Sequence, residues 1–411
     1  MLVSLAWSSL GSRKKSVILT FLSLLISISV LLSVEHIRQQ AKESFNRTIS
    51  DVDLIVGAPS GQLNLLLYSV FRMGSPTSNI NYASYEALQE SKLVAWAIPI
   101  SLGDSHRGFR VMGTNDNYFQ HFKFGNKQAL SFQNGKAFAS LFEAVIGADV
   151  AKDLGYKVGD SVVISHGIGN TSFTNHDNTP FTITGILSAT GTPVDKTVHV
   201  SLNAIEAIHL SASKQNQLLN DASSVNTTPD SVTAVMLGLT SKFATFKLQR
   251  DINNYKTDRL MAILPGVALT ELWQMMGTVE NLLRVISILV LISSLFGLST
   301  MLLASMQQRK NEIAVLRVLG AGPGVIFTLV LVEALILVLL AIVAAIGLLS
   351  AALTLSSDWL ASQYGLFLSA NLLTIETLKV VSVITLAAIV TSAIPAFEAY
   401  KNALHSSLSS K

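Results

Sequence analysis

Histidines are the residues of this sequence best suited to chemistry, because imidazole can ligate a metal or move a proton. His166 and His176 flank one loop rich in Ser, Asn and Thr, and Asp177 follows the second histidine. Imidazole nitrogens and carboxylate oxygens are zinc ligands, so these three side chains are candidates for a metal site. No compact spacing such as His-x3-His supports them, and loop histidines are usually only solvated. The sequence leaves the presence of a metal unknown.

Motifs for hydrolytic catalysis and for nucleotide binding are absent from the sequence. It contains no GxSxG, no HExxH and no GxxxxGK[ST] loop. The run GAGPG at residues 320–324 lacks the lysine of a phosphate-binding loop and follows no strand pattern. We therefore expect that the chain is not an enzyme and that it binds no cofactor of its own.

One carboxylate, Glu333, lies inside the apolar run at residues 325–353. An ionisable side chain in a membrane span is costly and is by default a functional-site hypothesis. Either it forms hydrogen bonds within the helix bundle and fixes the packing, or it takes part in an ion relay. No other apolar run shows an ionisable residue at similar depth, which favours the packing role.

The composition is that of a membrane protein with a water-soluble region. Of the 411 residues, 50% are hydrophobic and 13% are charged, against about 25% charged in soluble domains. The net charge of +3 is concentrated in short segments beside the apolar runs, so it indicates membrane topology and not nucleic-acid binding. Because the chain has no cysteine, it has neither a disulfide nor a thiolate ligand.

Basic clusters beside the apolar runs predict the topology by the positive-inside rule. We expect a bacterial inner-membrane protein whose termini are both cytoplasmic. The fold class is membrane α-helical, with four transmembrane helices and an α+β two-lobed periplasmic domain on a helical stalk. The predicted segments are an interfacial helix with the first span (1–34), a stalk helix (35–50), the periplasmic domain (51–263), a second stalk helix (265–284), the second span (285–306), a cytoplasmic loop (307–324), the third span (325–353), a periplasmic loop (354–377), the fourth span (378–396) and a cytoplasmic tail (397–411).

The two stalk helices are predicted from residues that continue a helical pattern beyond the spans. After the first span the sequence turns polar around Gln39 but keeps a helical composition. On the other side, Leu269, Trp273 and Met276 recur at steps of three and four residues and lead directly into the second span. Two helices that enter and leave one domain are expected to pair as a stalk.

Between the stalk helices, short strand patterns with turn residues predict the α+β domain. We expect its two lobes near residues 51–135 and 140–240, and exposed loops at 166–180 and 211–231. The predicted strands are 53–56, 93–101, 108–113, 161–165, 181–187, 197–201 and 232–239, and the predicted helices are 82–90, 149–154 and 202–207.

The cytoplasmic loop at 307–324 carries a short amphipathic pattern. Residues 312–319 place Ile313 and Leu316 at helical spacing, with charged side chains on the other side. A small amphipathic helix at the cytoplasmic end of a membrane bundle needs a partner surface. The alternative is that its charges only set the topology and that Gly320 only caps a helix.

The sequence resembles the FtsX-like/MacB-type ABC transporter permeases, a group that includes the lipoprotein-releasing permeases. In the loop QQRKNEIAVLRVLGAG, Glu312, Arg317 and Gly320 match the family consensus, and Glu333 matches a frequent glutamate of the third span. The run Ile-Pro-Ala at 394–396 is similar to the terminal motif of the family. Residues 145–164 and 181–202 look like its periplasmic core, so the resemblance covers essentially the whole chain.

This resemblance implies partners and roles. The coupling residues Glu312, Ile313, Leu316, Arg317 and Gly320 would dock on a separate cytoplasmic ABC ATPase, which carries ATP and Mg²⁺. A second permease copy would complete a dimer in membrane lipid, and a periplasmic or outer-membrane protein would be a further partner. ATP-driven closing of the cytoplasmic ends would move the stalks and the outer domains, the mode of action termed mechanotransmission.

Three functions remain open on the sequence. The leading one is export or extraction of a lipoprotein, peptide or amphiphile on the periplasmic side. The second is signalling across the membrane to a periplasmic partner or hydrolase, without transport. The third is a role in zinc acquisition, because residues 51–80 and 98–114 resemble permeases of small operons, some of them zinc-responsive, and the outer domain contains most of the histidines.

Overall fold

The computed structural model describes residues 2–166, 179–220, 225–308, 315, 318, 320–364 and 371–408. It divides into two compact units. The membrane unit comprises Met1–Ala41, Met276–Leu360 and Leu368–Lys411, and the outer unit comprises Lys42–Met275 and Ala361–Phe367.

The helices of the described residues are, in chain order, α1 (Leu2–Ser12), α2 (Lys14–Arg47), α3 (Gln62–Ser69), α4 (Tyr82–Gln89), α5 (Asn117–His121), α6 (Ala148–Leu154), α7 (Leu202–His209), α8 (Ala212–Asn220), α9 (Thr245–Asn253), α10 (Pro265–Gln308), α11 (Pro323–Tyr364) and α12 (Ile375–Leu408). The strands are β1 (Leu54–Gly57), β2 (Ile80–Asn81), β3 (Val94–His106), β4 (Phe109–Thr114), β5 (Lys123–Phe124), β6 (Gln128–Ala129), β7 (Phe132–Gly135), β8 (Glu143–Ile146), β9 (Ser161–Val162), β10 (Ser165–His166), β11 (Phe181–Leu187), β12 (Thr197–Ser201), β13 (Ser231–Val232), β14 (Ala234–Leu239) and β15 (Met261–Ile263).

Within the described residues, four helices are long and apolar enough to cross a membrane, namely α2, α10, α11 and α12. Together with the mixed α/β outer unit they confirm the predicted fold class. The first span and its predicted stalk are one helix, α2, and the second stalk and span are likewise one helix, α10. Helix α11 continues to Tyr364, so the loop predicted at 354–377 begins inside a helix.

The core of the membrane unit consists of aliphatic side chains from every long helix. Leu24, Leu298, Ala334 and Ile384 are fully buried members of this cluster, one from each span. Small residues such as Ala345 on α11 let neighbouring helices approach closely, which matters in lipid because burial of apolar area alone gives little preference for helix over lipid.

The outer unit is organised around β3, the longest of its described strands. Residues up to Ile100 pair with β14, and residues from Ser101 pair with β4, so one strand belongs to both halves of the sheet. The order is β15-β1-β14-β3-β4-β12-β8-β11-β7, with β9 on β11 and β10 on β3. The first half takes strands from both ends of the domain sequence. The prediction that the two lobes are consecutive stretches of sequence, divided near residue 135, is therefore wrong.

Both faces of the first half of the sheet are covered. Along β14, Ala234 and Met236 belong to one buried cluster, whereas Val235 and Leu237 belong to another on the opposite face. This is the two-residue period of a strand, with apolar residues on both sides. At Gly238 a Cβ atom would lie 2.0 Å from the Trp96 ring, so only glycine fits beside that indole.

Several elements escape prediction from the sequence, and α8 is the clearest. It lies in the segment 211–231, for which the sequence predicts an exposed loop. Its composition is polar, but Leu218 is buried and the Gln215 amide donates to the carbonyls of Ile208 and Leu210 at 2.8 and 2.9 Å. Those contacts satisfy the end of α7, which a window of sequence cannot show. Helices α3, α5 and α9 and strands β2, β5, β6, β7, β8 and β15 are also not predicted.

His199 is a buried titratable group in the middle of the outer unit. Its Nδ1–H donates to the carbonyl oxygen of Val145 at 3.2 Å, and its ring lies 5.1 Å from that of Tyr118. Burial, helped by the positive charge of Arg72, lowers the pKa of His199 to about 3. The imidazole is therefore neutral in the folded protein at every pH where the protein is expected to work.

This burial predicts an acid dependence of stability. In the unfolded chain His199 has an ordinary pKa of about 6.5, so it takes up a proton on unfolding at lower pH. The free energy of unfolding should keep its full value above about pH 6.5. Below that pH it should fall by up to about 1.4 kcal/mol per pH unit, until the pH reaches the pKa of His199 in the folded protein. Denaturation of full-length wild type and His199→Gln in detergent, from about pH 4.5 to 7, measures this slope. Equal slopes for the two proteins would contradict the prediction.

Candidate coupling site

Glu333 on α11 is buried in the membrane unit with an ionic partner. Its carboxylate accepts hydrogen bonds from the Ser9 hydroxyl at 2.5 Å and from Arg13 Nη2 at 3.1 Å. The exposed fractions of the side chains are 1% for Glu333 and 10% for Arg13. Arg13 Nη2 also donates to the Ser9 hydroxyl at 2.8 Å, so the three polar groups form one closed network.

The position of the network follows from the pattern of α1. Ala6, Ser9 and Leu10 are the buried residues of this helix, at the spacing of one helical face. Arg13 stands between the end of α1 and the start of α2, so its side chain can reach the same face. The network therefore fixes the N-terminal helix to α11 and sets the point where α2 begins.

The ionic partner of Glu333 comes from the basic flank before α2 and not from another apolar run. In the sequence, Arg13 reads only as one residue of the basic flank that sets topology. One signal in the sequence could have indicated this pairing. Glu333 follows the start of α11 by ten residues, about 15 Å of helix, and α11 starts on the same side of the membrane as α2. The geometry supports a packing role for this carboxylate, since a guanidinium and a hydroxyl satisfy it.

Helices α2 and α10 make a polar contact in the middle of their spans. The Ser294 hydroxyl lies 2.5 Å from that of Ser27 and 3.1 Å from that of Ser23. Hydroxyl pairs of this kind hold membrane helices together, because lipid tails offer a hydroxyl no hydrogen-bond partner. They set the register of α2 against α10.

A second ionic network joins the same two helices closer to the end of α2. Arg284 on α10 donates to Glu35 on α2 at 2.9 Å, and Arg38 pairs with Glu35 and lies 4.0 Å from Glu280. These side chains are partly exposed, so each pair contributes modestly, about 1 kcal/mol or less. As a network of four charges they still fix the pairing of α2 with α10 at this level.

The predicted stalk residues divide between the two units. Leu269 and Trp273 lie in the outer unit, where Leu269 joins the buried core and the Trp273 ring meets Phe45 edge to face at 5.6 Å. Gln39 and Met276 lie in the membrane unit, and Met276 is 44% exposed. Within the outer unit the start of α10 and the end of α2 are therefore in aromatic contact.

Most of the predicted coupling residues lie outside the described residues, namely Glu312, Ile313, Leu316 and Arg317. Of the described residues of the loop, Val315 and Val318 are exposed, Val318 to 87%. Gly320 has a φ of +94°, a left-handed conformation that favours glycine after a helix. Two exposed valines three residues apart suit a docking surface, and neither is among the coupling residues predicted from the sequence.

The metal candidates cannot be assembled from the described residues. His176 and Asp177 lie outside them, and of His166 only the backbone, paired with Asp104 in β10 and β3, is described. Within the region of the chain that the structure describes, no three His, Cys, Asp or Glu side chains are grouped as metal ligands.

The Glu333 network gives a double-variant prediction. Glu333→Leu leaves Arg13 buried without its carboxylate and should cost about 3–5 kcal/mol, whereas Arg13→Met with Glu333→Leu should recover most of that, because an apolar pair can replace a buried ion pair. Thermal unfolding of the purified full-length variants in detergent measures both values. Since the chain has no cysteine, Ala6→Cys can report on α1, which should react faster with a maleimide in Glu333→Leu alone. Equal labelling of all variants would contradict the proposed attachment of α1.

Comparison with known proteins assigns the family. Residues 17–255 match the model of the MacB-like periplasmic core domain, and residues 284–404 match that of the FtsX-like permease C-terminal region. None of the curated proteins compared matches the chain. Among solved structures, the chain is similar to the periplasmic region of MacB from Actinobacillus actinomycetemcomitans, with 11% identity and a TM-score of 0.34, over 57% of this chain and 95% of that one. Because the first match alone spans more than half of the sequence, the chain belongs to the FtsX/MacB-type ABC transporter permeases.

Proposed function

We propose that this permease transmits the work of a cytoplasmic ABC ATPase along α2 and α10 to its outer unit. As a member of its family, the chain is a non-ATPase transmembrane component of an ABC transporter, a class that associates with a cytoplasmic ATPase. We assign the ATPase contact to residues 307–324, and we place the outer unit in the periplasm and both termini in the cytoplasm. ATP and Mg²⁺ then reside on the partner subunit.

The observation that carries the proposal is the continuity of α10. The helix begins two residues after β15 of the outer unit and ends at Gln308, at the start of the proposed coupling loop. Its 44 residues correspond to about 66 Å of helix. A displacement at the loop is carried along a rigid helix whose polar contacts to α2 lie at Ser294 and Arg284.

The substrate class we propose is a lipoprotein, peptide or amphiphile that is exported or extracted on the periplasmic side. Support comes from the family and from the size of the outer unit, which holds more than half of the chain. The polar contacts between α2 and α10 fix the register of the two helices, and Glu333 forms an ion pair with Arg13. This arrangement suits conformational work at the outer unit better than passage of an ion along the spans.

Arg317→Glu tests the coupling loop. Reversing this charge should abolish stimulation of the ATPase in the complex reconstituted from the full-length permease and its ABC ATPase, because the docking surface would repel the same groups it now attracts. Lys401→Glu makes the same charge change at the exposed cytoplasmic end of α12 and should leave stimulation within about twofold of wild type. Normal stimulation in Arg317→Glu, with normal membrane insertion, would contradict the proposed docking site.

The outer ionic network tests transmission separately from docking. Arg284→Glu places a third negative charge near Glu35 and Glu280 and should uncouple the helices, so that the ATPase still binds but export falls at least about tenfold. Glu35→Arg combined with Arg284→Glu restores opposite charges and should recover much of the activity. Transport by reconstituted complexes, measured beside ATPase binding, reports both. If transport does not recover in the double variant, the pairing of Glu35 with Arg284 is not required for transmission along the two helices.

A further inference from the structure

The membrane unit contains a groove that the coupling proposal does not use. Its volume is about 520 Å³, and α2 and α10 form its walls. Arg13 and Ser305 lie at one end, and Ser23 and Ser294 lie at the other. Because the two helices run antiparallel, the groove follows their axes from the start of α2 to the middle of the span.

Two buried polar atoms at the Arg13 end have no hydrogen-bond partner among the described residues. They are Arg13 Nη1 and the Ser305 hydroxyl oxygen. The other donors of Arg13 are engaged, Nη2 with Glu333 and Ser9, and Nε with the Ser9 carbonyl at 3.4 Å. In hydrocarbon an unsatisfied polar group costs several kcal/mol. This end of the groove therefore calls for a ligand that offers acceptor oxygens.

The rest of the groove suits an acyl chain. From Arg13 to Ser23 the helix rises about 15 Å, which is about half of the 30 Å hydrocarbon core, the depth of one leaflet. Leu19, Met301 and Gly297 supply apolar or open surface along this length. A molecule that fills the groove has its polar end beside Arg13 and an apolar chain that reaches through a single leaflet.

We propose that the groove binds one phospholipid of the leaflet at the Arg13 end, with its phosphate at Arg13 and Ser305 and an acyl chain beside Gly297. A phosphate offers several charged acceptor oxygens to a guanidinium and a hydroxyl. An apolar helix of a second permease copy would also fill the groove, but it offers no acceptor to Arg13. The site goes beyond the proposed coupling function and does not depend on it.

Gly297 provides the test, because it lines the groove and has open space where a side chain would begin. A Cβ at Gly297 meets no atom within 4 Å, and the same holds for Gly347 on α11, which does not line the groove. Gly297→Leu should reduce binding of dioleoylphosphatidylglycerol to the full-length protein at least tenfold, and Gly347→Leu should not. Native mass spectrometry of the detergent-purified proteins counts bound lipid per chain. Dioleoylglycerol, which lacks the phosphate, should bind wild type at least tenfold more weakly.

Three results would overturn the proposal. The first is equal lipid binding by Gly297→Leu and Gly347→Leu. The second is retention of inorganic phosphate by wild type as tightly as of the phospholipid, since this would identify a site for the free anion. The third is unchanged lipid per chain together with loss of the dimer in Gly297→Leu only, because the groove would then be an interface between copies of the chain.

Discussion

A carboxylate in the hydrocarbon layer must be neutralised or paired, and Glu333 is paired with Arg13. Removing either charge from water costs several kcal/mol, and the pair is tolerable only with good geometry and further hydrogen bonds. The Ser9 hydroxyl supplies such a bond, so α1 has to lie against α11. Since Arg13 is also the residue that directly precedes α2, this interaction places the start of the first span against α11.

The pairing of α2 with α10 follows the same logic over a longer distance. Apolar side chains are as well solvated by lipid as by another helix, so they do not select one helical register strongly. Polar contacts select one register, and in this protein Ser27 pairs with Ser294 and Glu35 with Arg284 at successive levels along the two helices. Several contacts in one register oppose sliding of one helix past the other, which a helix pair that carries displacement requires.

The sequence predicted those features that are written in local patterns. Apolar runs of spanning length, the helical spacing of Leu269, Trp273 and Met276, and the strand patterns at 181–187 and 197–201 are properties of short windows. The partner of Glu333 lies 320 residues away in the sequence. Strand β3 pairs with β14 in one half of the sheet and with β4 in the other, and the first half combines strands from both ends of the domain. Such contacts are selected by the folded arrangement and leave no periodic trace. The coupling residues stay a prediction: spacing indicates only an amphipathic helix, and the docking role comes from the family resemblance, because a docking surface has no internal partner that its spacing must match.

The guanidinium of Arg13 links the two polar sites of the membrane unit. Nη2 serves Glu333, while Nη1 is the nitrogen that a phosphate in the groove would engage. Two anions that share one cation in a medium of low dielectric repel each other, so an occupied groove would weaken the bond to Glu333. By thermodynamic reciprocity, whatever strengthens the attachment of α1 to α11 would then weaken lipid binding by the same factor. Helix α11 directly follows the proposed coupling loop. A lipid at Arg13 would therefore act on α11 through Glu333, and the ATPase would act on the same helix through the loop at its start.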